Sequence, residues 1–187
     1  MVITSHDGYV DDYLNGFPVL QEYGFPATVF LATGFIGGEF QGGRMLAWPE
    51  IHEMSRHGIA FGSHSISHPF LTRVPLEVAK GEIRESKLVL EEVLGQEVAF
   101  FCYPFGDFNG EIKAMVRECG YLGACTIFPG ANGPLADMFS LKTTDIGPKD
   151  TLFDFEKKLV GAYDLIHRGL QLLAKDRFSN WYFGVKG

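Results

Sequence analysis

The sequence predicts an α/β fold: a parallel sheet or (β/α) barrel, distorted or incomplete. Three observations carry that expectation. Short apolar runs alternate with amphipathic stretches of helical period from Val2 to about Thr126. The polar residues best suited to chemistry fall just after the predicted strands, where parallel α/β folds gather their sites. The chain has 187 residues and no internal repeat or interdomain linker, so residues 1–187 read as one domain with one core.

Val2-Ile3-Thr4 is a short buried strand running into the polar turn His6-Asp7-Gly8. Residues 11–23 carry Tyr13, Leu14, Phe17, Leu20 and Tyr23 at helical spacing despite Pro18, and Gly24-Phe-Pro stops them. Ala27 to Ala32 is the next strand, and residues 34–43, with five glycines, read as a loop. A helix over 48–57 has Pro49 in its first turn, and Ile59-Ala-Phe-Gly62 is a third strand. Residues 76–94 give the clearest helix, closed by Gly95. A strand over 98–102, a helix over 110–119 ended by Gly120, and a strand over 122–126 follow. After a Gly/Pro-rich loop and an apolar piece near Leu141, residues 153–174 are expected to form a last long helix.

Composition narrows the function classes. Hydrophobic residues at 46% and charged residues at 21% are ordinary globular values and argue against a disordered chain. A net charge of −7, with Lys and Arg scattered, argues against a nucleic-acid partner. No apolar run approaches the roughly eighteen residues of a membrane span. The three cysteines, Cys102, Cys119 and Cys125, form no CxxC and no complete disulfide framework, so a reducing compartment or simply buried thiols are expected. Met1-Val-Ile is already strand-like, which places the protein in the cytoplasm if the chain is complete; an exported protein lacking its signal segment stays open. The 17 phenylalanines suit a well-filled core and also a sugar-binding face.

His64 and His68 stand four residues apart in Gly62-Ser-His-Ser-Ile-Ser-His-Pro69. Taken alone the pair is a weak signal, since chance spacing among six histidines produces surface or capping pairs. Its place in a turn after a strand raises its weight, and Asp7, after another strand, completes a His₂-carboxylate set. Three such ligands with room for a water make a catalytic divalent-metal site. Alone, Asp7 reads as a turn residue before Gly8. His6 occupies the place where a catalytic base is sought. Asp11 and Asp12 are read as helix caps. His52, His57 and the many glutamates are read as solvated helix faces.

These segments resemble the polysaccharide deacetylases of carbohydrate esterase family 4. Thr4-Ser-His-Asp-Gly-Tyr9 is similar to that family's Thr-Phe-Asp-Asp-Gly, and His64-Ser-Ile-Ser-His68 to its His-Ser/Thr-x-x-His. Phe101-Cys-Tyr-Pro-Phe-Gly106 is similar to its third motif, Arg-x-Pro-Tyr/Phe or, in one branch, Phe-Ala-Tyr-Pro-Tyr-Gly. The likeness extends over residues 2–145. It implies a distorted (β/α) barrel holding one divalent ion, Zn2+ foremost, on Asp7, His64 and His68. It implies His6 at the position of the general base and the backbone N–H of Phe105 as an oxyanion donor. Tyr103 and Pro104 would shape the wall under a sugar ring; a plain strand-to-loop turn explains them equally. The implied substrate is an acetylated amino-sugar glycan or oligosaccharide, N-acetyl before O-acetyl.

Departures from the family pattern concern proton handling. His6 replaces a carboxylate and brings no negative charge; it can accept a proton, or ligate the metal and close the open position. Cys102 stands where many members have an Arg, and Thr143 or Thr144 stands for a second one. The late Leu-x-x-His motif has no convincing counterpart, since His167 in Asp164-Leu-Ile-His167 lies inside an amphipathic stretch. Two alternatives to a deacetylase follow. One is a catalytically impaired metal- and glycan-binding member, and the other is a hydrolase of a non-glycan amide such as a cyclic ureide.

Overall fold

The computed structural model describes residues 1–161. Contacts divide the chain into two compact units, Met1–Thr126 with Ala136–Leu141, and Ile127–Leu135 with the residues from Lys142 onward. In chain order the first contains β1 (Ile3–Ser5), α1 (Phe17–Tyr23), β2 (Ala27–Leu31), β3 (Glu39–Phe40), β4 (Gly43–Arg44), α2 (Trp48–Arg56), β5 (Ala60–Ser63), α3 (Leu76–Leu94), β6 (Phe100–Cys102), α4 (Gly110–Glu118) and β7 (Gly123–Cys125). Five of these strands form a parallel sheet in the order β1-β2-β5-β6-β7. The strands follow one another without reversal. Helices α1 to α4 of this unit all contribute to one core, as consistent crossovers in an unreversed strand order produce in a barrel and unlike a doubly wound sheet. The sheet is open, so the expected incomplete barrel is observed.

Period-two alternation sorts the strand residues. Val29, Leu31, Phe61, Phe101 and Ala124 join the large core, where Ile51, Met54, Ala79, Ile83, Leu90, Ile112 and Val116 of the helices pack. Phe30, Cys102 and Cys125 face the other way and form a small cluster with Leu141 against them. Gly62 belongs to that face: a Cβ there would come within 2.5 Å of the Phe30 ring. All three cysteines are free thiols. No described helix is long and apolar enough to cross a membrane.

The second unit holds α5 (Leu152–Leu159), whose first turn is closed by a Thr151–Asp154 capping box. Lys158 ties its far end to the Asp150 carboxylate at 2.6 Å. The helix is capped by Val160 and left-handed Gly161, so the single helix expected over 153–174 is broken there. His167 and the aromatic tail Trp181-Tyr-Phe183 lie outside the described residues.

Two further expectations change. The stretch 11–23 begins as a π-helical turn, Asp12–Gly16, before α1. Neither Asp11 nor Asp12 caps it; Asp11 accepts a hydrogen bond from Asn15, and Asp12 accepts one from Ser5 Oγ at 2.6 Å. The glycine-rich loop 34–43 forms all but the last residue, Arg44, of the β3–β4 hairpin, and Tyr9 lies over Gly43 so closely that a Cβ would fall 2.6 Å from its ring.

Candidate metal centre

Three strand ends build the site. β1 delivers His6 and Asp7, β5 delivers His64 and the turn to His68, and β6 delivers Tyr103 to Phe105. The parallel register Ser5↔Val29, Leu31↔Ser63 and Ser63↔Phe101 brings these ends to one edge of the sheet. Asp7 turns out of β1 at φ 71, a left-handed conformation that Asp tolerates better than bulkier residues. Gly8 follows at φ 84 and packs so tightly on Leu31 that a Cβ would lie 2.5 Å from Cδ2.

Asp7 Oδ1 lies 3.4 Å from His64 Nε2 and 3.3 Å from His68 Nε2, and the two Nε2 atoms are 3.1 Å apart. His64 and His68 are buried. His64 Nδ1 donates to the carbonyl of Cys102 at 2.7 Å, which leaves Nε2 as a lone-pair donor. Asp7 Oδ1 is buried and has no aligned hydrogen-bond partner. Three electron-rich atoms this close repel one another unless a cation or a shared proton sits among them. A tetrahedral ion with bonds of about 2.0–2.1 Å sets its ligand atoms about 3.3 Å apart, close to the spacing seen here. The donor set therefore fits a divalent ion, and these three residues form a group able to hold one.

Electrostatics agree with that use. Burial drives the His68 pKa down to about 4, assisted by His64 and opposed by Asp7, so its ring is a neutral donor at physiological pH. Burial pushes the Asp7 carboxyl up, but the imidazoles of His64, His68 and His6 more than offset this and hold it below the ordinary value. His6 is lowered to about 4, first by burial and then by His64. Its ring is edge-on to Phe30 at 5.7 Å and tilted to His64 at 5.7 Å, and its Nε2 faces Cys102 Sγ at 3.9 Å. His6 thus borders the three-residue group without joining it.

The third motif divides. Phe105 sits in a left-handed conformation, φ 57, with its ring 4.4 Å from His68 and stacked on Phe70 at 4.1 Å. Tyr103 is 0% exposed, stacked on Phe108, with its hydroxyl donated to the Phe139 carbonyl at 3.0 Å. Pro104 is buried in the same turn. Both side chains are buried and shape the turn from beneath.

Sequence reasoning missed four neighbours. Phe40 stands edge-on to His68 at 5.4 Å, stacked on Phe35 at 4.3 Å, and Phe70 lies two residues beyond His68. Asp107 accepts from Thr72 N and Oγ1, each at 2.8 Å, joining the third motif to the stretch after His68. Glu82, on α3, binds the turn between the two histidines. Phe70 was readable from its adjacency to the histidine pair; the carboxylates carry no local signal. Thr143 and Thr144 belong to the second unit.

The chain belongs to the polysaccharide deacetylase family, whose sequence model matches residues 1–124. It is 31% identical over 148 residues to Bacillus subtilis YxkH, named as a polysaccharide deacetylase, across 79% of this chain and 52% of YxkH. It is also 31% identical over 140 residues to the poly-β-1,6-N-acetyl-D-glucosamine N-deacetylase of Staphylococcus epidermidis, across 69% of this chain and 48% of that protein. The matches thus span about half the length of these relatives. Among solved structures, the Streptococcus pyogenes deacetylase PplD, in complex with acetate, superposes with a TM-score of 0.77 at 25% identity, over 84% of this chain and 69% of PplD.

Proposed function

We propose that this chain is a metal-dependent hydrolase that removes an acetyl group from an amino-sugar glycan or oligosaccharide, with N-acetyl favoured over O-acetyl as the group removed. The observation that carries this reading is the convergence of Asp7 Oδ1, His64 Nε2 and His68 Nε2 within 3.4 Å of one another. These residues would hold one divalent ion, and the nitrogen-rich donor set favours Zn2+. When bound, the ion supplies Lewis acidity to the amide carbonyl and to the attacking water. His6, neutral and beside the site, accepts a proton from that water. The N–H of Phe105 donates to the oxygen that gains charge. The Phe105–Phe70 and Phe40–Phe35 stacks flank His68 and offer apolar faces to a sugar ring. Tyr103 and Pro104 support that wall from within.

A second reading, a metal- and glycan-holding member with impaired turnover, is favoured by one observation. The base position holds an imidazole whose Nε2 faces the Cys102 thiol at 3.9 Å. The test is metal content and acetate release after Zn2+ reconstitution, with acetylated chito-oligosaccharides and peptidoglycan fragments as substrates and cyclic ureides in a parallel screen. Stoichiometric metal with acetate release supports the hydrolase. Metal without release on any glycan supports the impaired member, and turnover confined to ureides overturns the glycan assignment. Failure to take up metal removes both metal-based readings.

A further inference from the structure

We infer that Glu82, on the second turn of α3, is a positioning residue for the metal site: it clamps the turn that carries His64 and His68 and thereby sets metal affinity. This inference rests on the metal site proposed above.

Bringing both imidazoles to one point across only five residues demands unusual backbone. Ser65 lies at φ 66 and His68 at φ 55, left-handed conformations that cost free energy for residues with a side chain. Local contacts within the turn are few; His68 N donates to Ser65 Oγ at 3.1 Å. The Glu82 carboxylate supplies much of the remaining restraint. Its Oε2 accepts from the backbone N–H of Ile66 and of Ser67, both at 2.8 Å, and its Oε1 accepts from Ser67 Oγ at 2.6 Å. Two backbone donors of an irregular turn are thus satisfied by one charged acceptor, which makes the bonds stronger than neutral ones.

One helical turn further, Ser86 extends the clamp. Ser65 N donates to Ser63 Oγ at 3.3 Å, Ser63 Oγ pairs with Ser86 Oγ at 2.7 Å, and Ser86 Oγ donates to the Ile83 carbonyl at 3.1 Å. Positions 82 and 86 share a helix face, so a single surface of α3 grips the turn. Glu82 forms no ion pair among the described residues, and its recorded hydrogen bonds all go to the histidine turn. That pattern is the outer-shell support of a ligand loop rather than a solvated helix charge.

The test uses the full chain stripped of metal, with Zn2+ as the probe in competition against a chromophoric chelator and the visible spectrum of the Co2+ form as a geometric readout. Glu82→Ala is expected to keep its circular dichroism while binding Zn2+ about tenfold or more weakly, with an altered Co2+ band. Glu82→Gln, which still accepts from both N–H groups but without charge, is expected to lose affinity by a smaller factor. A folded Glu82→Ala with wild-type affinity and Co2+ spectrum overturns the inference. If Glu82→Ala does not fold, Glu82→Gln decides, and unchanged affinity there overturns it equally. His64→Ala separates the two levels. A wild type that binds no better than His64→Ala removes the metal site itself. Loss in His64→Ala with wild-type binding in both Glu82 variants removes only the clamp.

Discussion

His6 and Cys102 meet at 3.9 Å, Nε2 to Sγ, at two positions where family resemblance leads one to expect a carboxylate base and, in many members, an Arg. Burial raises the Cys102 thiol well above its ordinary value, so it stays protonated and offers only a weak S–H donor. Both members of the pair are thereby neutral here, and under the proposed function the attacking water would meet an imidazole instead of a carboxylate. With His6 as a poor substitute base, His6→Ala is expected to lower the rate of acetate release by about 100-fold. His6→Asp should raise it by about tenfold, with metal content unchanged in both. A His6→Ala enzyme as fast as wild type would exclude His6 from proton transfer. Asp12 shows a different consequence of burial. Its Oδ1 accepts from Ser5, but its buried Oδ2 has no partner. Burial, opposed by the Ser5 bond and aided by Asp11 and Asp7, lifts its pKa to about 6. The folded state therefore prefers the protonated acid. That preference contributes fully below the unfolded value near 4 and is lost as pH rises through 6. In metal-free protein, Asp12→Asn should gain about 1 kcal/mol on wild type between pH 5 and pH 8, read from thermal melts at each pH. Parallel melting curves across that range would contradict the assignment.

Between α3 on one side and the end of β2 on the other, the histidine turn is held as a separate element. On the β2 side, Thr33 N donates to Ser65 O at 3.0 Å and Gly34 N to Ile66 O at 2.9 Å. A Cβ on Gly34 would fall 2.8 Å from Ile66 O, a backbone atom that cannot swing aside as a flexible side chain would. Gly34→Ala should therefore push the turn away from β2, with a stability cost of about 1–3 kcal/mol and weaker Zn2+ binding, measured by denaturant unfolding and chelator competition. A variant as stable as wild type with intact affinity would show that the turn can shift without disturbing its ligands. Elements of this kind were unequally legible. The bounds of α3 coincide with those read from sequence, because nineteen residues of amphipathic period and a left-handed Gly95 leave little choice. β3 and β4 are two residues each, too short for any periodicity, and glycine spacing alone reads as loop. The long helix expected beyond residue 153 followed the apolar spacing through Gly161, whose φ of 69 ends α5 instead.

At the scale of the molecule, the site exists only because the sheet order β1-β2-β5 carries Asp7 to within 3.4 Å of a histidine fifty-seven positions later. The grouping of Asp7, His64 and His68 was legible because each follows a predicted strand, and parallel topology sends such ends to one edge. The supporting carboxylates were not legible. Glu82 and Asp107 act as hydrogen-bond acceptors for distant loops, and nothing in a single sequence separates that role from a solvated surface charge. The same topology makes metal binding a stability term. An ion held by Asp7, His64 and His68 would join the exit of β1 to the exit of β5, a contact the unfolded chain cannot make. Zinc at about 100 times its dissociation constant should then stabilise the fold by about 2.7 kcal/mol, or roughly 5–10 °C in melting midpoint for a chain of this size. Chelator should reverse the gain, and Asp7→Ala or His68→Ala should abolish it. An equal zinc-dependent rise in all three proteins would place the ion elsewhere on the molecule, because only a shared ligand set explains a gain that any one substitution removes.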